Sequence, residues 1–408
     1  MSVGMLAVPT KYVLQFGETI LRQFARYELQ YRRGGRRVEQ VLAETDVDWP
    51  LFRHAQFLAT GIRDRSRKAQ ELCARFVCTA PNLLQLRLSP TERIDWCQSA
   101  LANGYRPASS DEYGQILLTL GVAHRELGKL QAAKQSLQHA EAVLRRKRNS
   151  LRFAKALVNR GLVLGLLGEI DAAEAHHGRA LATFKRNGVR SGIRQSMGGL
   201  ALCEMSRGRY EAALKLAQQG LRMARADRDA QGESTFLGQI GTCWRNLNRP
   251  KKALRCQEKR LALARKIGNV VDERNTLGNL GNVYSNLCEY DRSVIYHKES
   301  LELSRLLADK RGEGSDLVNI GIVLQGKEQH REAIPFFQAA VALFMECAYP
   351  RGESTALWNL SISLDETGKR LTAIESAKKA LKIRDAIGDP RAAEVREQLR
   401  AWQGDLGA

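Results

Sequence analysis

Asn275, Asn279, Asn282 and Asn286 recur at i, i+4, i+7 and i+11, a spacing that lines four carboxamides along one side of an α-helix. Asparagine is a poor mid-helix residue, roughly 0.5 kcal/mol worse than alanine, and a solvated face would ordinarily carry Lys, Glu or Gln. A carboxamide has both donors and an acceptor, so a row of them can pair with the N–H and C=O groups of an extended peptide whatever its side chains. The Asn279 position returns at forty-residue steps as Asn159, Gln239, Asn319 and Asn359, with Asn246 and Arg245 nearby. Beside it, Gly238 and Gly278 remove side-chain bulk. The competing reading is a neutral polar face copied with each repeat.

The second chemistry-bearing feature is charge. The 408 residues carry a net +20, and half of that excess falls between residues 111 and 230. Residues 142–168 contain no acid but include Arg145, Arg146, Lys147, Arg148, Arg152, Lys155 and Arg160; residues 175–203 repeat this with Arg179, Lys185, Arg186, Arg190 and Arg194. Runs one period apart project from one edge, so a continuous basic ridge is expected. Three readings stand: an acidic protein partner, nucleic acid, or a charged surface that only confers solubility. Against nucleic acid, few aromatics interleave with the basic residues, and no dedicated binding motif occurs.

No catalytic motif accompanies these features. There is no phosphate-binding glycine loop ending in Lys-Ser/Thr, no His-Glu-x-x-His helix and no nucleophile elbow. His176 and His177 are adjacent, which turns them about 100° apart on a helix and prevents shared ligation of one metal. The eight cysteines include no Cys-x-x-Cys pair and read as reduced, mostly buried thiols. The expectation is a non-enzyme without cofactor or metal. No stretch of eighteen apolar residues and no cleavable leader is evident, so no membrane partner and a cytoplasmic location are expected.

What must position these residues is a repeat. Gly121, Gly161, Gly241, Gly281 and Gly321 recur every forty residues, with Ala201 and Ser361 in the same slot. A fixed period of this length, kept without insertion, predicts stacked units that each contact only their neighbours. Each unit reads as two amphipathic helices: Leu277, Leu280, Gly281, Tyr284 and Leu287 form one apolar stripe, then Tyr290, Val294, His297, Leu301 and Leu303 a second. Gly128, Gly168, Gly208 and Gly368 mark the turns between them. Pro335 falls inside a second helix and is expected to kink it.

These residues resemble the tetratricopeptide (TPR) consensus: Leu277, Leu280-Gly281 and Tyr284, then Ala333, Phe337 and Ala340 in the next copy. The forty-residue step is longer than the usual one of about thirty-four. It is similar to Pins/LGN-type adaptors, kinesin light chains and the sensor arms of bacterial STAND-type ATPases. The resemblance implies an all-α, right-handed TPR superhelical solenoid of antiparallel helix pairs with helical N- and C-terminal caps. It also implies that the asparagine line faces the concave groove, where Asn159, Asn279, Asn319 and Asn359 match positions that hold a partner's backbone.

The expected organisation is an N-terminal helical cap over residues 1–70, a degenerate TPR-like repeat over 71–110, seven repeats over 111–390, and a capping helix with tail over 391–408. The cap's stripe runs through Val13, Phe16, Ile20, Phe24 and Tyr27, with a break at Gly34-Gly35 and a new start near Asp48-Trp49-Pro50. Ser89-Pro90-Thr91-Glu92 reads as a capped helix start, and Pro81 interrupts the helix before it. The functional expectation is a scaffold or sensor holding an extended, acidic protein segment in the groove, with Arg245 or Arg194 meeting its charge. The alternatives are a nucleic-acid-associated component using the ridge, and a stand-alone sensing arm of a STAND-like system.

Overall fold

The computed structural model describes residues 9–33, 38–145 and 150–404. They form helices joined by short turns, with no strand among the described residues, in two compact units, Met1–Arg207 and Gly208–Ala408. From Ser110 onward the elements alternate at the sequence period. The first unit holds the helix pairs Ser110–Glu126 with Leu130–Leu144 and Leu151–Leu166 with Ile170–Arg186, then Arg190–Ser206. In the second unit, Tyr210–Ala226 precedes the pairs Ala230–Asn246 with Pro250–Lys266 and Val270–Asn286 with Tyr290–Leu306. Lys310–Gly326 with His330–Glu346 and Pro350–Glu366 with Arg370–Ala386 follow.

Local chemistry sets these boundaries. Ser150, Asp229, Asn269 and Asp309 each accept a hydrogen bond from the backbone N–H three residues on, at 2.9 to 3.1 Å, satisfying a donor that the first turn leaves open. At the turn inside each pair the chain enters the left-handed region. Gly168 has φ +84° there, and the same slot is taken by Asn248, Cys288 and Glu328 at +54°, +58° and +61°. The conformation is therefore imposed by the repeat even where glycine is absent.

The glycine period has a packing cause. A Cβ built on Gly121 would lie 2.5 Å from Leu137, on Gly161 2.7 Å from His177, and on Gly241 2.5 Å from Gln257. On Gly321 it would lie 2.6 Å from Phe337. Each glycine makes room for the side chain sixteen positions later on the partner helix. In the sequence, Ala201 and Ser361 are matched sixteen positions later by Ala217 and Ala377, so a bulkier slot goes with a smaller filler.

Within each unit, first helices of successive repeats approach one another, as Val270–Asn286 does Lys310–Gly326, more closely than second helices do. The first helices thus form a tight layer, and the second helices stand apart with a cleft between neighbours.

At the N-terminal end, Phe24, Phe52, Leu72 and Phe76 form a buried cluster, with Trp49 and Trp96 packed against it. The helix Val38–Gly61 runs unbroken through Pro50, which corrects the expected start at Asp48. Proline inside a helix costs about 3 kcal/mol. Here Phe52 stacks on Phe24 at 4.1 Å and on Trp49 at 5.4 Å, and that burial holds the turn helical. The Gly34-Gly35 break lies outside the described residues. The Ser89–Glu92 capping box forms as read, and Pro81 opens its own helix, Pro81–Arg87, after Arg67–Thr79. Pro335 is carried within His330–Glu346 as one continuous helix. At the C-terminal end, Ala392–Gly404 buries Val395, Leu399 and Trp402.

Candidate functional site

The amide row of the second unit occupies the layer of first helices. Gln239, Asn279, Asn319 and Asn359 sit at corresponding points of Ala230–Asn246, Val270–Asn286, Lys310–Gly326 and Pro350–Glu366. Asn279, Asn319 and Asn359 are half-buried, and Gln239 is buried at 8 % exposure. Asn282 is half-buried, and Asn275, Asn286 and Asn246 are exposed. The corresponding Asn159 lies in the other unit, half-buried on Leu151–Leu166.

Their hydrogen bonding divides them. Asn159, Asn246 and Asn359 donate from Nδ2 to the carbonyl four residues back, at 2.8 to 2.9 Å. That bond fixes the amide against its own helix and leaves the carbonyl oxygen and one N–H for another partner. Asn275 accepts from Arg274 at 2.9 Å. Asn279, Asn282 and Asn319 make no side-chain hydrogen bond among the described residues. Gln325 adds a bridge between neighbouring first helices, donating to the Asn359 carbonyl at 2.9 Å and to Ser363 Oγ at 2.8 Å.

Arg245, near the end of Ala230–Asn246, is half-buried and has no acidic partner among the described residues. Burial pushes its pKa down, opposed by Tyr210. A desolvated guanidinium without a carboxylate favours an incoming acid. Arg194 differs from expectation. It is 7 % exposed on Arg190–Ser206, so it is packed among helices and does not stand at an open edge.

The basic ridge is only partly a ridge. Arg146, Lys147 and Arg148 lie outside the described residues. Arg145, Lys185, Arg186 and Arg190 are exposed, and Arg152 faces Asp111 at 3.6 Å. The helical spacing instead turns Arg145 and Arg186 into a cleft that also holds Arg160 and Arg179.

Two buried polar clusters were not foreseen. Asp316, 4 % exposed, accepts from Ser300 at 2.8 Å and from Ser304 at 2.7 Å; burial pushes its carboxyl up to about 6 against those two bonds. Asp272, 6 % exposed, is held by Ser234 and Arg260. The signal was present in the register. Asp316 occupies a column that otherwise holds Ile116, Ala156, Ser196, Phe236, Thr276 and Ala356. His177 and His297, both in the filler column of the glycine pairs, are pushed down to about 4 by burial.

All eight cysteines are free: four buried, three half-buried and Cys288 exposed. No group of three or more metal-ligating side chains occurs among the described residues. No helix among them is long and apolar enough to cross a membrane.

Three family models, each described as tetratricopeptide repeat, match residues 114–142, 152–226 and 276–311. Those stretches carry TPR repeats, and the fold is that of a TPR-type helical solenoid. Comparison by sequence with curated proteins gave no match. Among solved structures, a Rap protein complexed with Competence and Sporulation Factor aligns at TM-score 0.66 and 13% identity, over 93% of this chain and 99% of that one. The apo quorum sensor NprR from B. thuringiensis aligns at 0.62 and 14%, over 90% and 98%. A STAND protein with a tetratricopeptide repeat sensor from Pyrococcus horikoshii aligns at 0.53 and 13%, over 86% of this chain and 54% of its own. The chain thus spans about half of that protein. At these identities the likeness is one of fold.

Proposed function

We propose that the protein is a non-enzymatic adaptor or sensor that binds an extended, acidic segment of a partner protein across the first-helix layer of Gly208–Ala408. The observation that carries this reading is the amide row at one-repeat steps. Asn279 and Asn319 have all their side-chain hydrogen-bonding groups open, and Asn359 keeps its carbonyl oxygen and one N–H. A peptide laid across Val270–Asn286, Lys310–Gly326 and Pro350–Glu366 meets such a group at each one. Arg245 supplies an uncompensated positive charge at the same layer.

The sensor form of the reading draws support from the relatives of like fold, which are a Rap protein bound to a factor, a quorum sensor and a TPR sensor. The non-enzymatic part rests on the lack of a catalytic motif in the sequence.

The test is a pull-down from the native host with wild type and with Asn279→Ala/Asn319→Ala, read by mass spectrometry. Partners retained by wild type should be lost from the variant. Melting temperature should hold or rise slightly, because each change gains roughly 0.5 kcal/mol of helix propensity. An unchanged partner profile removes the amide row from the account.

A further inference from the structure

Two clefts occupy the same place in the repeat, five repeats apart in sequence. One, of about 710 Å³, opens between the second helices Leu130–Leu144 and Ile170–Arg186 over the first helix Leu151–Leu166. The other, of about 610 Å³, opens between His330–Glu346 and Arg370–Ala386 over Pro350–Glu366. The repeat supplies the opening, and the side chains decide its use. Met345, Ile383 and Ala386 line the later cleft where the earlier has Arg145, Thr183 and Arg186. The arginines of the earlier cleft are therefore not a requirement of the fold.

That cleft sets Arg145, Arg160, Arg179 and Arg186 against one carboxylate, Glu141. His176 Nε2 lies 3.2 Å from Glu141 Oε2, Arg160 donates to the same oxygen, and Arg179 donates to Oε1 at 3.2 Å. The His176 contact foremost, with Arg160, holds the Glu141 carboxyl down at about 2 in spite of burial. It stays ionised and keeps Arg160 and Arg179 side by side. Phe153 and Leu157 form a buried apolar floor, with the Arg179 guanidinium 5.6 Å above the Phe153 ring. Arg145 is exposed at the rim and has no acidic partner among the described residues.

We propose that this cleft binds a phosphate monoester carried on an apolar or aromatic body. Arg145, Arg160 and Arg179 alone set three guanidiniums against one carboxylate, an excess that a dianion balances better than a single carboxylate does. Guanidinium forks match phosphate oxygens in bidentate fashion. The floor gives the ligand's body a place out of water, and the volume falls within the range of roughly 300–1,000 Å³ typical of ligand sites. A nucleic-acid backbone fits less well. It needs contacts that continue along the edge, where Arg152 faces Asp111 and Arg194 is buried. The inference is independent of the peptide reading, which uses the other unit and the other helix layer.

The test is isothermal titration of the full chain at low salt with phenyl phosphate, and with phenol and inorganic phosphate as its two halves. Phenyl phosphate should bind one per chain and more tightly than either half. Arg145→Gln/Arg186→Gln, both at exposed positions, should weaken it roughly tenfold or more at an unchanged melting temperature. Arg145→Lys should fall between, since it keeps the charge and loses the fork. Lys379→Gln, in the equivalent cleft, should change nothing. Adenosine monophosphate and a phosphotyrosyl peptide form separate arms, and binding of either supports the site and identifies the ligand's source. No binding of phenyl phosphate, or equal affinity in wild type and the double variant, overturns the proposal. Inorganic phosphate binding as tightly as phenyl phosphate overturns the apolar-body requirement.

Discussion

Gly281 and His297 share one space: a Cβ on Gly281 would stand 2.5 Å from Nε2 of His297, whose two ring nitrogens are buried without hydrogen-bond partners. The imidazole acts there as a filler, in the position that Gln257 and Phe337 take against Gly241 and Gly321. The forty-residue glycine period is therefore one half of a pairing whose other half varies.

Gly281→Ala should accordingly destabilise by about 1–3 kcal/mol through overpacking, in spite of alanine's better helix propensity. Adding His297→Ala should recover part of the loss, because it recreates the Ser361 with Ala377 kind of pair. Gly278→Ala is the control. Its Cβ would meet Ser300 at an ordinary 3.5 Å, so stability should hold or rise. Urea denaturation of the four proteins reads all three effects, and a Gly281→Ala protein as stable as wild type would refute the pairing.

Acid should weaken the fold through the same histidines. Burial holds His177 and His297 at about 4, below the unfolded value near 6.5. Folded-state values that are depressed give stability that is full above about 6.5 and lost as pH falls towards 4, up to about 3 kcal/mol for each site. His297→Phe, which copies the pairing of Phe337 with Gly321, should flatten that fall. Identical pH profiles for wild type and variant would count against it.

Asp316 acts in the opposite sense. Its carboxyl is pushed up to about 6, so its contribution is full below the unfolded value near 3.9 and lost as pH rises through 6. Asp316→Asn can accept from one of Ser300 and Ser304 through its amide oxygen and donate from its NH2 to the hydroxyl oxygen of the other. It should gain on wild type between pH 4 and 7, by at most about 3 kcal/mol. Melting temperatures at pH 4.5 and 7.5 would show the gap opening, and a constant gap would exclude the titration.

Cys288 holds φ +58° at an exposed turn where four other repeats have glycine. Cys288→Gly should stabilise by about 1 kcal/mol, relieving the left-handed backbone. In the native protein one thiol should react fast with a disulfide reagent, and the variant should lack that phase. Burial pushes Cys73 up to about 11 and Cys78 up to about 12, which keeps those thiols slow.

The terminal helix should behave as a lid. Trp402, 3 % exposed, lies 6.3 Å from the Trp358 ring, and Arg370 sits 5.9 Å above it. Trp402→Ala should cost about 3–5 kcal/mol and increase binding of a hydrophobic dye. A melting curve like that of wild type would show that the last repeat needs no cover.

Helix pairs, turn slots and caps were legible because each depends on residues close in sequence. Ser89 finds Glu92, and Gly168 needs only its own φ. Pro50 was misread for the complementary reason: what keeps that turn helical is Phe24, in a preceding helix, stacked on Phe52. The amide row could be located from periodicity, but periodicity says nothing of whether Asn159 or Asn359 turns back to its own helix carbonyl. Arg194 belonged to a basic run by composition, and packing buried it.

By itself the sequence determined the period and the alternation of two helices, since a register repeated seven times makes such columns visible, whereas the pairing of each glycine with a filler sixteen residues on came from the packing of the helices. Only the tertiary structure decided that Glu141 gathers Arg160, Arg179 and His176 from two other helices, and that Asp316 is enclosed by Ser300 and Ser304. Those arrangements depend on the distance and angle at which neighbouring helices meet, which no spacing along one chain specifies.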